Sequence, residues 1–293
     1  MTHPFSPRRD TARRQPRWLA ASLGLASAAA VLALILLAAT QQPARAGKPL
    51  QRSPKRILVV SVTKGFRHDS IPTGEEVLQK LASESKGAFT VDFARTDEEL
   101  AAKMSPEGLK PYDAVFFNNT TGDLPLPDRD AFIKWIADGH AFIGAHAASD
   151  TYHGYAPYIQ MLGGEFKTHG PQVEVECRVE DRKHPATKSF PEPTFKVYDE
   201  IYQFKNFERP RVHGLLTLDS HPNDKTPGDY PIAWCRREGK GRVFYTALGH
   251  RKDVWNADWY QKHLAGGIRW ALGLEKGDDK PQVKQAAQPA SPP

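Results

Sequence analysis

Cysteine is scarce in this chain: Cys177 and Cys235 are the only two in 293 residues. No pair stands at ligand spacing, which excludes a thiolate zinc site. In VEVECRV (residues 173–179) the alternation puts Cys177 on the apolar face, so a buried thiol is expected, and a disulfide requires the two strands to be neighbours. A Walker motif, a Gly-rich dinucleotide fingerprint, a Ser/His/Asp signature and an H-E-x-x-H metal motif are all missing. Gly163-Gly164 is an isolated pair that reads as a turn. No two carboxylates stand out as flanking a glycosidic bond, which counts against ordinary two-acid hydrolysis. Acids are nearly absent from the first 46 residues, where Asp10 faces Arg8, Arg9, Arg13, Arg14, Arg17 and Arg45. The net charge of +6 is concentrated there, and the remainder is close to neutral. The basic balance therefore marks a targeting segment and excludes a nucleic-acid-binding face.

That segment joins its arginines to an apolar run, residues 19–39, and to Ala44-Arg45-Ala46, an A-x-A cleavage pattern before Gly47. The run is long for a signal peptide and long enough to span a bilayer, so a cleaved signal and an uncleaved anchor both stand. Arg13-Arg14 hints at twin-arginine export, although Gln15-Pro16-Arg17 continues it poorly. Either way the folded part is expected outside the cytoplasm, periplasmic or extracellular, and touching the inner membrane only through that anchor. Residues 47–55 read as a linker, 56–274 as one domain and 275–293 as a disordered, charged, then Pro/Ala/Gln-rich tail.

Strands and helices alternate through the first half of the domain. RILVVSV (56–62), residues 89–94, residues 112–117 and AFI (141–143) read as buried strands. Between them lie helices expected from Thr73 or Gly74 to about Ser85 with Glu75 and Glu76 in the first turn, after Thr96 as N-cap, and over 128–138 with Phe132, Ile133, Trp135 and Ile136 facing the sheet. This order predicts an α/β fold with a doubly wound, mostly parallel sheet. The second half predicts a strand-rich elaboration: 173–179, 195–198, 214–218, 231–236 and 242–246, the last two joined by a Gly239-Lys240-Gly241 hairpin. A helix over about 258–272 closes the domain, with Gly266-Gly267 an unfavourable pair inside it.

In a parallel sheet, ligands collect beyond the carboxyl ends of the strands. Three polar loops fall there, carrying His68 and Asp69, Asn118 and Asn119, and His146 with Asp150. Gly144-Ala145-His146-Ala147-Ala148 has the outline of a nucleophile elbow with histidine as the lifted residue. His250 leaves another strand through Gly249, and His169 lies in a loop expected to be flexible. His184, before Pro185, reads as a turn residue. Of Asp199 and Glu200, strand alternation sends only one into a pocket, and Glu200 is preferred. His68, His146 and His250 are candidate ligands for a divalent metal such as zinc, although no local spacing certifies the set.

Several blocks taken together resemble the ThuA-like, trehalose-utilisation family: KGFRHDS (64–70), GAHAASD (144–150), GGEF (163–166) with His169, DEIY (199–202) and GRVFYTALGH (241–250). The resemblance spans about residues 56–274. It implies a flavodoxin-like fold akin to class I glutamine amidotransferases, with His146 where those enzymes keep a nucleophilic cysteine, hence no glutaminase activity. It also implies a small carbohydrate ligand, a glycoside or its 3-keto derivative. The expected function is an exported lyase or hydrolase in which His146 is the base, His68 and His250 stabilise charge or bind metal, and Asp150 or Glu200 is the acid partner. Asn118, Asn119, His169 and Tyr202 are expected to bind substrate. The alternative is a non-catalytic carbohydrate-binding or scaffold protein, with Tyr152, Tyr155, Tyr158, Tyr202 and Trp255 stacking on sugar faces.

Overall fold

The computed structural model describes residues 53–282; the expected signal or anchor over 1–46, most of the linker and residues 283–293 lie outside that range. Five strands form the parallel part of a nine-stranded sheet: β1 (Lys55–Val60), β2 (Phe89–Ala94), β3 (Ala114–Asn118), β4 (Ala141–Ala145) and β11 (Gly241–Thr246). Their order, β2-β1-β3-β4-β11, is the flavodoxin-like arrangement with β11 as the fifth strand. The expected strand-rich elaboration extends this sheet through β10 (Pro227–Glu238), β9 (His213–Ser220), β6 (Val173–Val179) and β7 (Thr194–Asp199), all antiparallel. β5 (Glu165–His169) and β8 (Tyr202–Lys205) form a separate antiparallel ribbon.

The central strands are apolar without a break because both of their faces are covered. Along β1, Ile57 and Val59 enter one core cluster with Val77, Leu78 and Leu264, while Leu58 and Val60 enter another with Leu100, Phe132 and Phe142. The first face carries α1 (Ile71–Glu84) and α7 (Asp258–Ala271); the second carries α2 (Asp97–Lys103) and α4 (Arg129–Ala137). Among the described residues, the short α3 (Pro106–Leu109), α5 (Ala156–Leu162) and α6 (Lys252–Asn256) complete the α-helices. Thr96 caps α2 by accepting from Glu99 N at 3.2 Å, as its spacing predicts. Among the described residues, no helix is long and apolar enough to cross a membrane.

Four local expectations change. α1 begins at Ile71, because Pro72 is tolerated in a first turn whose N–H groups are unpaired anyway, so Glu75 and Glu76 fall beyond that turn. In α4 only Phe132 and Ile136 are fully buried. α7 runs unbroken through Gly266-Gly267: a Cβ at Gly266 collides with the Pro185 carbonyl and one at Gly267 with the Phe244 ring, so close packing, not a break, calls for glycine. Finally, the first part of the expected disordered tail is packed against the domain. Arg237 pairs with Asp279 at 2.6 Å, and His213 Nδ1 bonds the Lys280 carbonyl at 2.9 Å. Cys177 and Cys235 are both buried and unpaired.

Candidate functional site

His68 follows β1, His146 follows β4, Glu200 follows β7 and His250 follows β11, so four strands deliver one side chain each to the same edge. Their ligand atoms all lie within 4.8 Å of one another. The rings of His68 and His146 meet edge to face with centroids 4.8 Å apart, and His68 meets His250 likewise at 5.1 Å.

His146 adopts φ +45°, a left-handed conformation uncommon for a non-glycine residue, at the junction of β4 and a 3₁₀ turn over His146–Asp150. Gly144 permits that tight turn, since a Cβ there would sit 3.0 Å from Ala148 Cβ. Nδ1 of His146 lies 2.7 Å from the Ala247 carbonyl. A carbonyl only accepts, so Nδ1 carries a proton and Nε2 is the nitrogen turned to the cluster. The Tyr202 ring backs the imidazole at 4.1 Å.

Glu200 is the hub. Oε1 lies 3.5 Å from His146 Nε2 and 3.3 Å from His250 Nδ1, and Oε2 lies 3.1 Å from His169 Nδ1. Burial pushes its carboxyl up, but the neighbouring His146 and His250 outweigh this and hold it well below the usual carboxylate range. The same carboxylate raises His250, against the opposing effect of burial. His68 is driven down to about 3 by burial first and then by His146 and His250. His68 Nδ1, His146 Nε2 and His250 Nδ1 are buried without a hydrogen bond, the last two lying 3.5 and 3.3 Å from Glu200.

Gly249 holds His250 in place. Its carbonyl accepts from Trp255 Nε1 at 2.8 Å, Asn119 Nδ2 at 3.0 Å and Ser70 Oγ at 3.2 Å, while its N–H donates to Asp199 Oδ2 at 2.8 Å. Asp199 also accepts from Glu200 N at 3.0 Å, so one buried carboxylate positions two members of the cluster. Burial raises the Asp199 carboxyl. Glu200, the residue preferred over Asp199, faces the cluster, and alternation misses the supporting role of Asp199, which depends on a contact between β7 and the loop after β11.

The donors fit a divalent cation. Bonds of about 2.0–2.1 Å in a tetrahedral zinc site separate donors by roughly 3.3–3.5 Å, which matches the two Glu200–histidine distances, while the whole set spreads to 4.8 Å. Three imidazoles and a carboxylate also suit borderline first-row ions. Thus His68, His146 and His250 come together as expected for a metal set, and Glu200 joins them as a fourth donor.

Other expected site residues sit elsewhere. Asp150 does not reach the cluster; it bonds His153 Nε2 at 2.5 Å, and His153 Nδ1 meets Glu165 Oε1 at 2.7 Å. Asn118 and Asn119 are fully buried and serve as scaffold instead of substrate contacts, Asn118 Nδ2 donating to the Ile71 carbonyl at 3.0 Å and to Ser61 Oγ at 3.2 Å. Tyr202 supports His146 from behind instead of lining the surface, and Tyr152, Tyr158 and Trp255 are likewise buried, so none is a stacking platform. His169 lies on β5 and not in a flexible loop, with 42% of its side chain exposed at the mouth of the cluster. Beyond His250 opens a cleft of about 560 Å³ whose lining includes Phe66, Asp69, Gln172 and Arg251. A second concavity, about 300 Å³ near Gln160 and Arg211, holds no histidine cluster.

A family model described as ThuA, trehalose utilisation, matches residues 56–271. Among solved structures, the chain is similar to a ThuA-like protein from Bacteroides uniformis ATCC 8492, with 23% identity and a TM-score of 0.61 over 77% of this chain and 95% of that one. It is similar also to a ThuA-like protein from Parabacteroides merdae ATCC 43184, with 19% identity and a TM-score of 0.63 over 80% and 94% of the two chains. A cytoplasmic protein from Salmonella typhimurium LT2 shares 12% identity and a TM-score of 0.52 over 74% and 99%. At these identities the structural likeness shows a common fold alone. No curated protein matches the chain.

Proposed function

The chain belongs to the ThuA family, described as trehalose utilisation, and from that premise we propose that it is an exported enzyme acting on a glycoside or 3-keto-glycoside at the His68–His146–Glu200–His250 cluster. One observation carries the reading: two buried histidine nitrogens without hydrogen-bond partners, on His146 and His250, converge on one ionised carboxylate at the carboxyl ends of the strands, and His68 offers a further donor within 4.8 Å of the set. Buried polar atoms left unpaired cost free energy, and a bound cation removes that cost. The four residues would hold a divalent ion, which when bound supplies a Lewis acid that polarises a sugar carbonyl.

Exposure divides the roles. The His146 side chain is 0% exposed and His169 is 42% exposed. A fully buried imidazole suits an ion donor better than a base toward a sugar, so the proton-transfer role expected of His146 passes to His169. In a 3-keto-glycoside, the C2 proton adjacent to the carbonyl is acidic. His169 takes that proton; the C2–H electrons form a C1–C2 double bond, the C1–O bond breaks, and the departing oxygen regains a proton from water. Glu200, whose Oε2 lies 3.1 Å from His169 Nδ1, stabilises the imidazolium that results. With histidine at position 146 in place of a cysteine, the site offers no thiolate for glutaminase chemistry.

Metal analysis of the purified protein tests the core of the reading. About one divalent ion per chain is expected, lost in His146→Ala and Glu200→Gln together with turnover of 3-keto-glucosides. A protein that takes up no ion on reconstitution, or a Glu200→Gln variant with full turnover, overturns it. The arginine-led apolar segment and A-x-A pattern support export, and a periplasmic or extracellular product beginning at Gly47 distinguishes cleavage from anchoring.

A further inference from the structure

We infer that Phe66 is the stacking platform of a second-ring subsite, so that the substrate is a glycoside with at least two rings and not a free monosaccharide. Phe66 is 66% exposed, and among the described residues only Tyr198 is another exposed large hydrophobic. An exposed phenyl forfeits the free energy of burial. Its loop is nevertheless rigidly held: Lys64 N donates to the Thr121 carbonyl at 2.8 Å, Gly65 N to Thr121 Oγ1 at 3.1 Å, and Thr121 Oγ1 to the Phe66 carbonyl at 2.8 Å. The ring stands edge-on to His68 at 4.8 Å, one residue away from the cluster and facing the cleft that His250 also lines.

The opposite wall is polar and equally fixed. Arg251 lies over the Tyr198 ring at 4.9 Å, donates to Gln172 Oε1 at 2.9 Å and pairs with Asp253 at 2.8 Å, while Lys252 pairs with Asp69 at 3.1 Å. Arg67, Arg251 and Lys252 stand among Asp69, Asp253 and Gln172, so the rim offers both donors and acceptors to a ligand with many hydroxyls. A pyranose offers an apolar C–H face to the negative face of a phenyl ring and hydroxyls to such a rim. The volume, about 560 Å³, falls among those of small-molecule pockets. Because the reacting ring must reach the histidines, the ring on Phe66 is its neighbour.

The inference rests on the carbohydrate reading and is separable from the chemistry. Calorimetric titration with glucose, trehalose, maltose and cellobiose tests it on the wild type, Phe66→Ala, Phe66→Trp and Glu200→Gln. At least one disaccharide is expected to bind more tightly than glucose, to weaken about tenfold in Phe66→Ala and to recover in Phe66→Trp, with metal content unchanged. Equal affinity for glucose and every disaccharide, no binding of any, or a Phe66→Ala affinity equal to wild type overturns the subsite. If Glu200→Gln shows the cluster to be catalytically irrelevant while Phe66-dependent binding persists, the catalytic proposal fails and the subsite stands.

Discussion

At the scale of single residues, the site is governed by which ring nitrogens are already occupied. The Ala247 carbonyl occupies Nδ1 of His146 and leaves Nε2 to the cluster, so geometry decides the tautomer. Glu200 then couples its neighbours electrostatically: it is the largest influence on His250 and raises it. In metal-free protein, Glu200→Gln should therefore lower the His250 pKa, because removing the carboxylate removes what stabilises the imidazolium. An NMR titration of the His250 ring checks this, and an unmoved His250 would show that Glu200 is not its partner. Asp199 works one step removed from the donors, through Gly249 N and Glu200 N. Such supporting contacts orient donors without touching an ion.

At the scale of elements, the β5–β8 ribbon carries His169 and Tyr202, and its attachment controls the mouth of the site. His153 clamps it: Nε2 faces Asp150 at 2.5 Å in the 3₁₀ turn after β4, and Nδ1 faces Glu165 at 2.7 Å on β5. Lys205 Nζ at 3.1 Å and Asn206 Nδ2 at 2.7 Å also bond Glu165. Two carboxylate acceptors require two ring donors, so His153 is an imidazolium. Burial lowers its pKa, but hydrogen bonds to Asp150 and Glu165 outweigh that and raise it above 6.5. A raised histidine contributes stability that is complete below the unfolded pKa and is lost as pH rises through the folded one. Amide exchange in β5 and β8 should accordingly accelerate as pH rises through the raised pKa of His153, beyond the intrinsic base-catalysed increase, and His153→Gln should abolish that excess. Exchange that tracks the intrinsic rate alone in the wild type would remove the clamp from the account.

At the scale of the whole molecule, three buried histidines make the fold sensitive to acid. His68 is lowered to about 3, His184 to about 4 and His263 to about 4, in each case chiefly by burial. Each remains neutral in the fold while the unfolded chain takes up protons near 6.5, so the unfolded state binds more protons between about 6.5 and 4 and stability falls as pH falls through that window. Thermal unfolding of metal-free protein should show a midpoint roughly 5–15 °C lower at pH 4.5 than at pH 7, since about 2–4 °C accompanies each kcal/mol in a domain of this size. A flat profile would mean that these histidines are not held neutral.

Much of the scaffold was legible in the chain because its cause is local. Continuous apolar runs at 56–62 and 141–143, the Thr96 cap and the Gly239-Lys240 turn identify parallel strands, a helix start and a hairpin through burial, hydrogen-bonding and turn chemistry that act over a few residues. The doubly wound order follows from alternating strands and helices, and that order directs His68, His146 and His250 to one edge. What only the tertiary structure decided is long-range. His153, which holds Asp150, is fixed by Glu165 from 12 residues away; the Nδ2 groups of Asn118 and Asn119 donate to the Ile71 and Gly249 carbonyls, 47 and 130 residues away; Asp199 gains its role across 50 residues, from Gly249. β5 escaped notice because Glu-Phe-Lys-Thr-His shows no apolar alternation and pairs only with its ribbon partner. Residue type and spacing state which chemistry a side chain can perform, but the partner that occupies or frees each polar atom is set by packing between elements, and that choice separates donors from scaffold here.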